Sequence, residues 1–459
     1  MIHVNDFGKN FFWGIASSAC QTEGGYIEEG KGLSIWDVFS SLPGTTAGGH
    51  HPQVSCDFHN HYLHDILLLH YLNCRHFRFS LSWPRIFPNG TGGRNVAGLD
   101  FYDRIIDFCL EMEIEPWITL YHWDLPHALE REGGWTNRNI LDWFARYVET
   151  CARRFGDRVK HWTVLNEPVV FTGAGYFLGT HAPGRKGLTN FLAAAHHAAL
   201  CQSLGGQVLK SVNRNLKVGT ALSSVQFEPA DDSKTAGEAA LKADALFHRL
   251  FLEPLLGLGY PFGELDFLHH LEPFLRPEDE KALRFDMDFF CLQHYSREVV
   301  KYSRVMPYLH ARIVKAADRK VPLTARHREI RPQSIYHQLK RFAAYPQVKS
   351  LLVAQNGATF DDSLHNGQVQ DEGRIRYLNA HLEQVLRAKK EGVPVHGFFH
   401  QGLTDSFEWT AGYHHRNGLV YVDYPTQKRT IKASGHFVRA FLGEAREKFT
   451  GSQVHEFTS

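Results

Sequence analysis

Short runs of apolar and β-branched residues alternate with longer amphipathic stretches along most of the chain. Eight of these runs have the length and composition of buried strands. The predicted strands are Phe11–Ser17, Arg75–Trp83, Glu115–Trp123, Lys160–Glu167, Lys217–Ser223, Asp288–Tyr295, Leu351–Gln355 and Val395–Gln401. Between them, apolar residues recur with the helical period. The clearest predicted helices are Leu99–Met112, Ile140–Phe155 and Asp371–Gly392.

The repeated strand–helix alternation predicts parallel strands joined by crossover helices. Eight such units are typical of a closed (β/α)8 TIM barrel, an α/β fold that forms one domain here, over residues 1–459. A doubly wound open sheet is the alternative fold. That sheet usually has fewer strands and a Gly-rich phosphate loop, and no GxGxxG follows the first predicted strand. The barrel is therefore favoured.

Charge and cysteine content narrow the possible partners and compartment. The net charge is +1 and no block of like charges resembles a nucleic-acid arm, so neither a polynucleotide nor an anionic membrane is indicated. The seven cysteines are an odd number without CxxC spacing, which indicates reduced thiols. The first residues lack a signal-peptide pattern, and no apolar run reaches the length of a membrane span. We expect a cytoplasmic protein, and the sequence leaves its oligomeric state open.

Polar side chains stand near the ends of several predicted strands. In a TIM barrel the active site forms at the carboxyl ends of the strands. Burying several polar groups at one rim costs free energy unless function retains them. The polar strand-end residues are Arg78, His122, Asn166, Glu167, Tyr295 and Gln355. The sequence therefore predicts a site at this rim.

Five longer motifs identify a family. Their letters are FFWGIASSACQTEGG from residue 11, RFSLSWPRIFPNGTG from 78, LYHWDLP from 120, TVLNEP from 163 and FEWTAGYHHRNGLVYVDYPTQKRT from 407. Together they resemble glycoside hydrolase family 1, the β-glucosidase family, over almost the whole chain. The resemblance implies a small-molecule or oligosaccharide β-glycoside as substrate, no cofactor and no metal. The histidines between residues 59 and 64 have no recognisable metal-ligand spacing.

The resemblance also implies roles for individual residues. Such enzymes use two carboxylates about 5–5.5 Å apart, one as acid/base and one as nucleophile. Glu167 in TVLNEP matches the acid/base, and Arg78 and Tyr295 match residues that bond the nucleophile's oxygens. The residues that match the family's sugar-binding set are Gln21, His122, Trp123, Asn166, Glu408 and Trp409.

The chain departs from the family at the nucleophile. Gln355, in LLVAQNGATF, stands where the family has glutamate, and an amide cannot form the glycosyl ester. Four further residues differ on the same rim. Gln293 and His294 stand where the family has asparagine and tyrosine. Gln401 stands where the family has tryptophan, and Asn417 stands where it has an aromatic residue. Several changes together favour natural divergence over an engineered Glu→Gln substitution.

Several functional hypotheses remain open. Gln355 could orient water for inversion, with His294 as the nearest base, or it could orient a substrate 2-acetamido group that attacks intramolecularly. A non-catalytic carbohydrate-binding protein and an engineered trap of a retaining β-glucosidase are the alternatives.

The segment Val300–Arg331 carries nine Lys and Arg residues against two acidic ones, which indicates a solvated surface or a contact with an anionic ligand.

Overall fold

The computed structural model describes residues 2–443. Its strands bear out the eight predicted runs and add short hairpins between them. The strands are β1 (Phe12–Ala16), β2 (His76–Ser80), β3 (Glu115–Tyr121), β4 (His161–Asn166), β5 (Lys217–Pro229), β6 (Phe289–Tyr302), β7 (Ala311–Val314), β8 (Leu351–Asn356), β9 (Leu364–His365), β10 (Gln368–Val369), β11 (Val395–Gln401), β12 (Val420–Asp423) and β13 (Lys428–Ile431).

Eight parallel strands close into a barrel. The order around it is β5, β4, β3, β2, β1, β11, β8 and β6, and β6 pairs with β5 to complete the circle. This closure confirms the predicted single-domain (β/α)8 TIM barrel and excludes the open sheet. Two strands are longer than predicted, because β5 and β6 continue beyond the barrel and β7 pairs antiparallel with the end of β6.

Helices surround the barrel and follow the predicted periodicity. The three clearest predictions correspond to the helices Val96–Glu111, Ile140–Phe155 and Glu372–Lys390, with ends that differ by up to three residues. The predicted second strand was too long, because Trp83 and Pro84 begin a helix. The helices are α1 (Ala19–Thr22), α2 (Ile35–Ser40), α3 (Phe58–Tyr71), α4 (Trp83–Ile86), α5 (Val96–Glu111), α6 (His127–Arg131), α7 (Ile140–Phe155), α8 (Pro168–Thr172), α9 (Leu188–Val212), α10 (Lys234–Asp244), α11 (Leu250–Leu255), α12 (Asp279–Ala282), α13 (Gln333–Ala343), α14 (Glu372–Lys390) and α15 (Ala433–Gly443).

Aromatic rings fill the amino-terminal half of the barrel interior. Trp117 stacks on His161 with ring centroids 3.8 Å apart, and Phe399 contacts Trp117 at 5.2 Å. Gly14 makes room for this packing, since a Cβ there would lie 2.5 Å from the Phe399 ring. The barrel is thus a packed core at one end, and open space remains at the carboxyl ends of the strands.

A buried ionic cluster fixes the segments that follow β8 and β11. The ammonium of Lys432 lies 2.6 Å from a carboxylate oxygen of both Asp362 and Asp405. Arg374 bonds Asp362 at 2.7 Å, and the Lys432, Asp362 and Asp405 side chains are fully buried. Buried carboxylates need such partners, because an unpaired buried charge is costly.

We expect Lys432→Met to lower the free energy of unfolding by about 3–5 kcal/mol, since it leaves two buried carboxylates with one cation fewer. Urea denaturation measures the difference. Lys340→Met is the matched control, because Lys340 pairs with Glu391 at the exposed surface and its loss should change little. Equal losses in the two variants would contradict a structural role for the cluster.

Candidate active site

A cavity of about 540 Å³ opens at the carboxyl ends of the barrel strands. It brings together residues from β5, β6, β7, β8 and β11 with others that directly follow β3 and β4 or lie in the connecting segments. The predicted site residues that line it are Gln21, His122, Trp123, Glu167, Gln293, Tyr295, Gln355, Gln401, Glu408 and Trp409. Most of the residues expected at the rim therefore share one cavity.

Glu167 stands between β4 and α8. Its backbone has φ 46°, a left-handed conformation, and Pro168 begins the helix immediately after it. The Ser223 hydroxyl donates a hydrogen bond of 2.8 Å to the Glu167 carboxylate. Burial raises the pKa of Glu167 to about 7, although the Ser223 hydrogen bond and the charges of Arg328 and Arg78 oppose the rise. Near neutral pH this carboxyl group can both donate and accept a proton.

Asn166 is the centre of a hydrogen-bond network beneath the cavity. Its amide oxygen accepts a bond of 2.7 Å from Arg78 and a second one from the Gln293 amide. Its amide nitrogen bonds His122 at 3.0 Å, and its backbone carbonyl accepts a bond of 2.8 Å from the Trp123 indole. The network thus orients the side chains of four surrounding residues.

Arg78 is buried, and no carboxylate among residues 2–443 forms an ion pair with it. Its Nε and Nη1 atoms have no hydrogen-bond partner among the described residues, and burial lowers its pKa. The nearby Glu167 carboxyl group opposes this lowering. A buried cation in this position is costly unless a bound group compensates for it.

Gln355 lies at the carboxyl end of β8, beside Tyr295. The Tyr295 hydroxyl donates a 3.1 Å hydrogen bond to the Gln355 amide oxygen. Burial raises the pKa of Tyr295 well above its ordinary value, so the phenol keeps its proton and remains a donor. In the part of the chain that the structure describes, no carboxylate or imidazole bonds the Gln355 side chain.

The structure turns His294 away from the cavity. One ring nitrogen lies 2.8 Å from the Ser224 carbonyl oxygen, and the other lies 2.7 Å from the Ser334 hydroxyl at the start of α13. Burial lowers the pKa of His294 to about 3. The prediction that His294 faces the sugar or activates water is therefore wrong. Residues 293 and 295 face the cavity, and alternation along a strand places the residue between them on the other side.

Asn417 also lies behind the cavity wall. Its amide oxygen accepts a 2.5 Å hydrogen bond from the Thr359 hydroxyl. A hydrogen bond from Asn417 helps to oppose the rise in the pKa of Glu408, which comes chiefly from burial. Asn417 therefore supports a cavity residue, and the prediction that it lines the cavity is corrected.

Two arginines of the segment Val300–Arg331 reach the cavity. A guanidinium nitrogen of Arg326 lies 3.2 Å from the Glu408 carboxylate, and Arg328 lies 5.1 Å from the centre of the Tyr295 ring. Gln21 approaches the other carboxylate oxygen of Glu408 at 3.4 Å. The excess of positive charge in this segment is visible in the sequence, but which of its cations turn inward depends on long-range packing.

Two tryptophans form an aromatic wall beside Glu408. The ring centroids of Trp123 and Trp409 are 4.5 Å apart. Both residues have left-handed backbones, with φ 77° and φ 55°, which bulky side chains rarely adopt. Such strain persists where the surrounding structure fixes it, and it concentrates at binding sites.

Among residues 2–443, no three His, Cys, Asp or Glu side chains come together as candidate metal ligands. The histidines between residues 59 and 64, for which the sequence predicts no metal, lie on α3. His59 contacts Glu28 and Glu29 there. Over the same residues, no helix combines the length and the apolarity needed to span a bilayer.

Comparison with known proteins supplies the family. Residues 3–446 match the model of glycosyl hydrolase family 1. The chain is 41% identical to a 1,4-beta-D-glucan glucohydrolase of Thermotoga neapolitana, with 95% of this chain and 97% of that protein covered. It is 40% identical to beta-glucosidase A of Thermotoga maritima over the same shares.

The fold is equally similar. A solved family 1 β-glucosidase from Thermotoga maritima superposes with a TM-score of 0.92 at 39% identity, covering 95% of this chain and 98% of that one. The same organism's β-glucosidase in complex with glucoimidazole also gives 0.92. The chain belongs to glycosyl hydrolase family 1 and is a β-glucosidase-like O-glycosyl hydrolase.

Proposed function

We propose that this protein hydrolyses β-glycosides with Glu167 as general acid and with the substrate's own 2-acetamido group as nucleophile. Gln355 then replaces the nucleophile of the family and orients the acetamido group. The observation that carries the proposal is that one cavity holds both Glu167, whose pKa burial raises to about 7, and a neutral Gln355 whose side chain is bonded only by Tyr295 among the side chains of residues 2–443. Such substrate assistance is an established exception to the two-carboxylate mechanism.

Inversion is less well supported, because it requires a base beside the attacking water. His294 is turned away, and Glu408 is paired with Arg326. A non-catalytic sugar binder is also less well supported, since it gains nothing from a carboxyl group whose pKa is raised to about 7. The family relatives are named as hydrolases, which favours catalysis as well.

The proposed reaction has two balanced steps. The acetamido oxygen attacks the anomeric carbon, the bond to the leaving oxygen breaks, and Glu167 gives that oxygen its proton. The Gln355 carbonyl accepts a hydrogen bond from the acetamido N–H as this group becomes positively charged. Water then attacks the anomeric carbon, Glu167 takes its proton, and the acetamido group is released with net retention of configuration.

The remaining residues would hold the sugar. Following the resemblance, Asn166 is proposed to bond the substituent at position 2, and Gln21 and His122 to bond the hydroxyls at positions 3 and 4. The stacked Trp123 and Trp409 would cover the ring. We place the reaction in the cytoplasm, because the seven cysteines form no disulfide, which suits a reducing compartment.

The first test compares 4-nitrophenyl N-acetyl-β-D-glucosaminide with 4-nitrophenyl β-D-glucoside. We expect the acetamido substrate to react at least ~10²-fold faster, because only it carries the internal nucleophile, and well-oriented intramolecular reactions reach effective molarities of ~10⁵–10⁸ M. Proton NMR of the first product from the acetamido substrate should show the β-anomer. An α-anomer from that substrate, or equal rates for both substrates, would exclude substrate assistance.

Ser223→Ala should move the alkaline limb of the pH–activity profile to higher pH by about one pH unit. The reason is that the loss of about 1.36 kcal/mol of hydrogen bonding to the Glu167 carboxylate changes the pKa of Glu167 by one unit. The Ser223 bond favours the ionised form of Glu167, so its loss raises the pKa, and the general acid stays protonated to higher pH. Ser223→Thr keeps the hydroxyl and should restore the limb. A limb that stays in place in Ser223→Ala would argue that it reports another group.

Gln355→Glu should raise the unfolding temperature, because the family resemblance places a carboxylate at this position next to the residue that Arg78 matches, and a charge-assisted hydrogen bond is worth about 1.5–3 kcal/mol. Activity on the acetamido substrate should fall, and activity on the glucoside should rise less than ~10-fold, since the altered wall persists. Gln401→Glu adds a carboxylate elsewhere in the cavity as a control. A gain of several orders of magnitude on the glucoside would identify Gln355 as a single lost nucleophile.

A further inference from the structure

A tight turn brings two arginines to the sugar cavity. Within it, the Thr324 N–H donates a hydrogen bond of 2.9 Å to the Arg328 carbonyl, and the Arg328 N–H donates one of 3.2 Å to the Thr324 hydroxyl. The Ala325 N–H donates a 2.9 Å bond to the carbonyl of Thr359, which lies in the segment after β8. We call residues 323–329, which include both arginines, the arginine turn. Its backbone is thus bonded to itself and to the rim of the barrel.

Ion pairs brace the arginine turn from both sides. The Glu329 carboxylate accepts bonds of 2.9 and 3.0 Å from Arg297 on β6 and one of 2.6 Å from Arg319. Arg326 lies 3.2 Å from the Glu408 carboxylate. Both carboxylates are buried, so these pairs are poorly screened by water. The turn therefore holds its arginines in a defined place.

Arg328 lines the cavity as a cation without a carboxylate partner. Its guanidinium lies 5.1 Å from the centre of the Tyr295 ring, and no carboxylate among residues 2–443 forms an ion pair with it. Glu298 also lines the cavity, but burial raises its pKa, and the charge of Arg328 opposes the rise. Because burial favours the neutral form of Glu298, the two arginines and the single paired carboxylate leave an excess of one positive charge.

Arg326 stands beside the edge of the sugar that bears position 4. Under the proposed function, Gln21 and His122 bond the hydroxyls at positions 3 and 4. The Gln21 amide nitrogen lies 3.4 Å from one carboxylate oxygen of Glu408, and Arg326 contacts the other oxygen. Arg326 therefore lies just beyond the hydroxyls of this edge.

Arg328 stands closer to the reacting end of the sugar. It lies over Tyr295, whose hydroxyl bonds Gln355. Asn166 is proposed to hold the substituent at position 2, and no side chain of the arginine turn bonds Asn166 in the part of the chain that the structure describes. On the other side of the ring, the path from the anomeric carbon to position 4 passes carbon 5, which carries position 6. A group at position 6 thus extends toward the two arginines.

We propose that Arg326 and Arg328 bind a singly charged oxyanion at position 6, and that the natural substrate is a glycoside of an acidic sugar. The inference rests on the proposed function for the pose of the sugar. A sulfate ester and the carboxylate of a uronic acid each carry one negative charge, which matches the excess positive charge. A phosphate ester carries about 1.5 to 2 charges and fits less well. Guanidinium groups bind such oxyanions through pairs of N–H bonds.

The segment Val300–Arg331 offers a test variant and a matched control. Arg328→Gln removes the excess charge, and the arginine turn should keep its shape because its bonds to Thr324 come from the backbone. Arg304 is exposed and lines no part of the cavity, so Arg304→Gln changes the net charge equally without touching the site. Glu298→Gln removes the unpaired carboxyl group and acts in the opposite direction.

Calorimetry of N-acetyl-D-glucosamine and its 6-sulfate measures the inference without catalysis. The wild-type chain and Arg304→Gln should bind the 6-sulfate at least ~10-fold more tightly, since hydrogen bonds to charged groups are the strong ones. Arg328→Gln should reduce this preference to under ~3-fold, and Glu298→Gln should maintain or increase it. D-glucuronate against D-glucose tests the carboxylate in the same way. A 6-phosphate that binds more tightly than both acidic sugars would overturn the single-charge assignment.

Turnover separates the acidic-sugar site from the catalytic proposal. The 6-sulfate of 4-nitrophenyl N-acetyl-β-D-glucosaminide should have a kcat/KM at least ~10-fold above that of the parent compound, chiefly through a lower KM. Turnover of the parent compound, with no preference for either acidic sugar, would overturn the inference and leave the proposed function. A preference lost equally in Arg304→Gln and Arg328→Gln would also overturn it. A preference lost only in Arg328→Gln, without turnover of either compound, would instead overturn the proposed function and leave an acidic-sugar site.

Discussion

The pairing between β5 and β6 is the contact on which the site depends. It runs from Gly219 opposite Phe289 to Pro229 opposite Val300, and it closes the barrel. Without it, the ends of β4 and β8 would lie near opposite edges of an open sheet. Closure also brings the strand ends around one cavity, and the aromatic core in the amino-terminal half of the barrel limits its depth. The continuation of the same two strands beyond the barrel adds Phe227 and Glu298 to the lining of this cavity.

If Gln355 replaces the family's nucleophile as proposed, the electrostatics of the site change as well as its chemistry. In the two-carboxylate mechanism, a negative charge beneath the sugar offsets the developing positive charge of the transition state. Under the proposal, the groups in that place are a neutral amide, a protonated phenol and the buried Arg78 guanidinium. Such surroundings would oppose a free oxocarbenium ion, and the proposed acetamido nucleophile, which carries its positive charge on a distant nitrogen, would suit them better.

Much of the fold and site could be predicted because the chemistry lies at strand ends. Glu167, Gln355 and Tyr295 each follow a buried run, and the barrel brings such positions together. Strict alternation along β6 would also have placed His294 on the outer face, given that Gln293 and Tyr295 face inward. The inward turn of Arg326 could not be predicted, because it depends on how an irregular segment packs against Glu408. The hairpin extension of β6 could not be predicted for a related reason, since the excess of Lys and Arg in Val300–Arg331 indicates a solvated surface or an anionic ligand and does not indicate strand pairing.

The left-handed backbones at Glu167, Trp123 and Trp409 set the stability of the fold against the composition of its cavity. A residue with a Cβ in that conformation costs roughly 1–2 kcal/mol, and glycine would remove most of the cost. Glu167 adds the desolvation of a buried carboxyl group. Replacing any of the three residues by glycine would relieve backbone strain and would at the same time remove a side chain that lines the cavity. The chain is therefore less stable than its fold permits, because two indoles and a carboxyl group are held in the cavity wall.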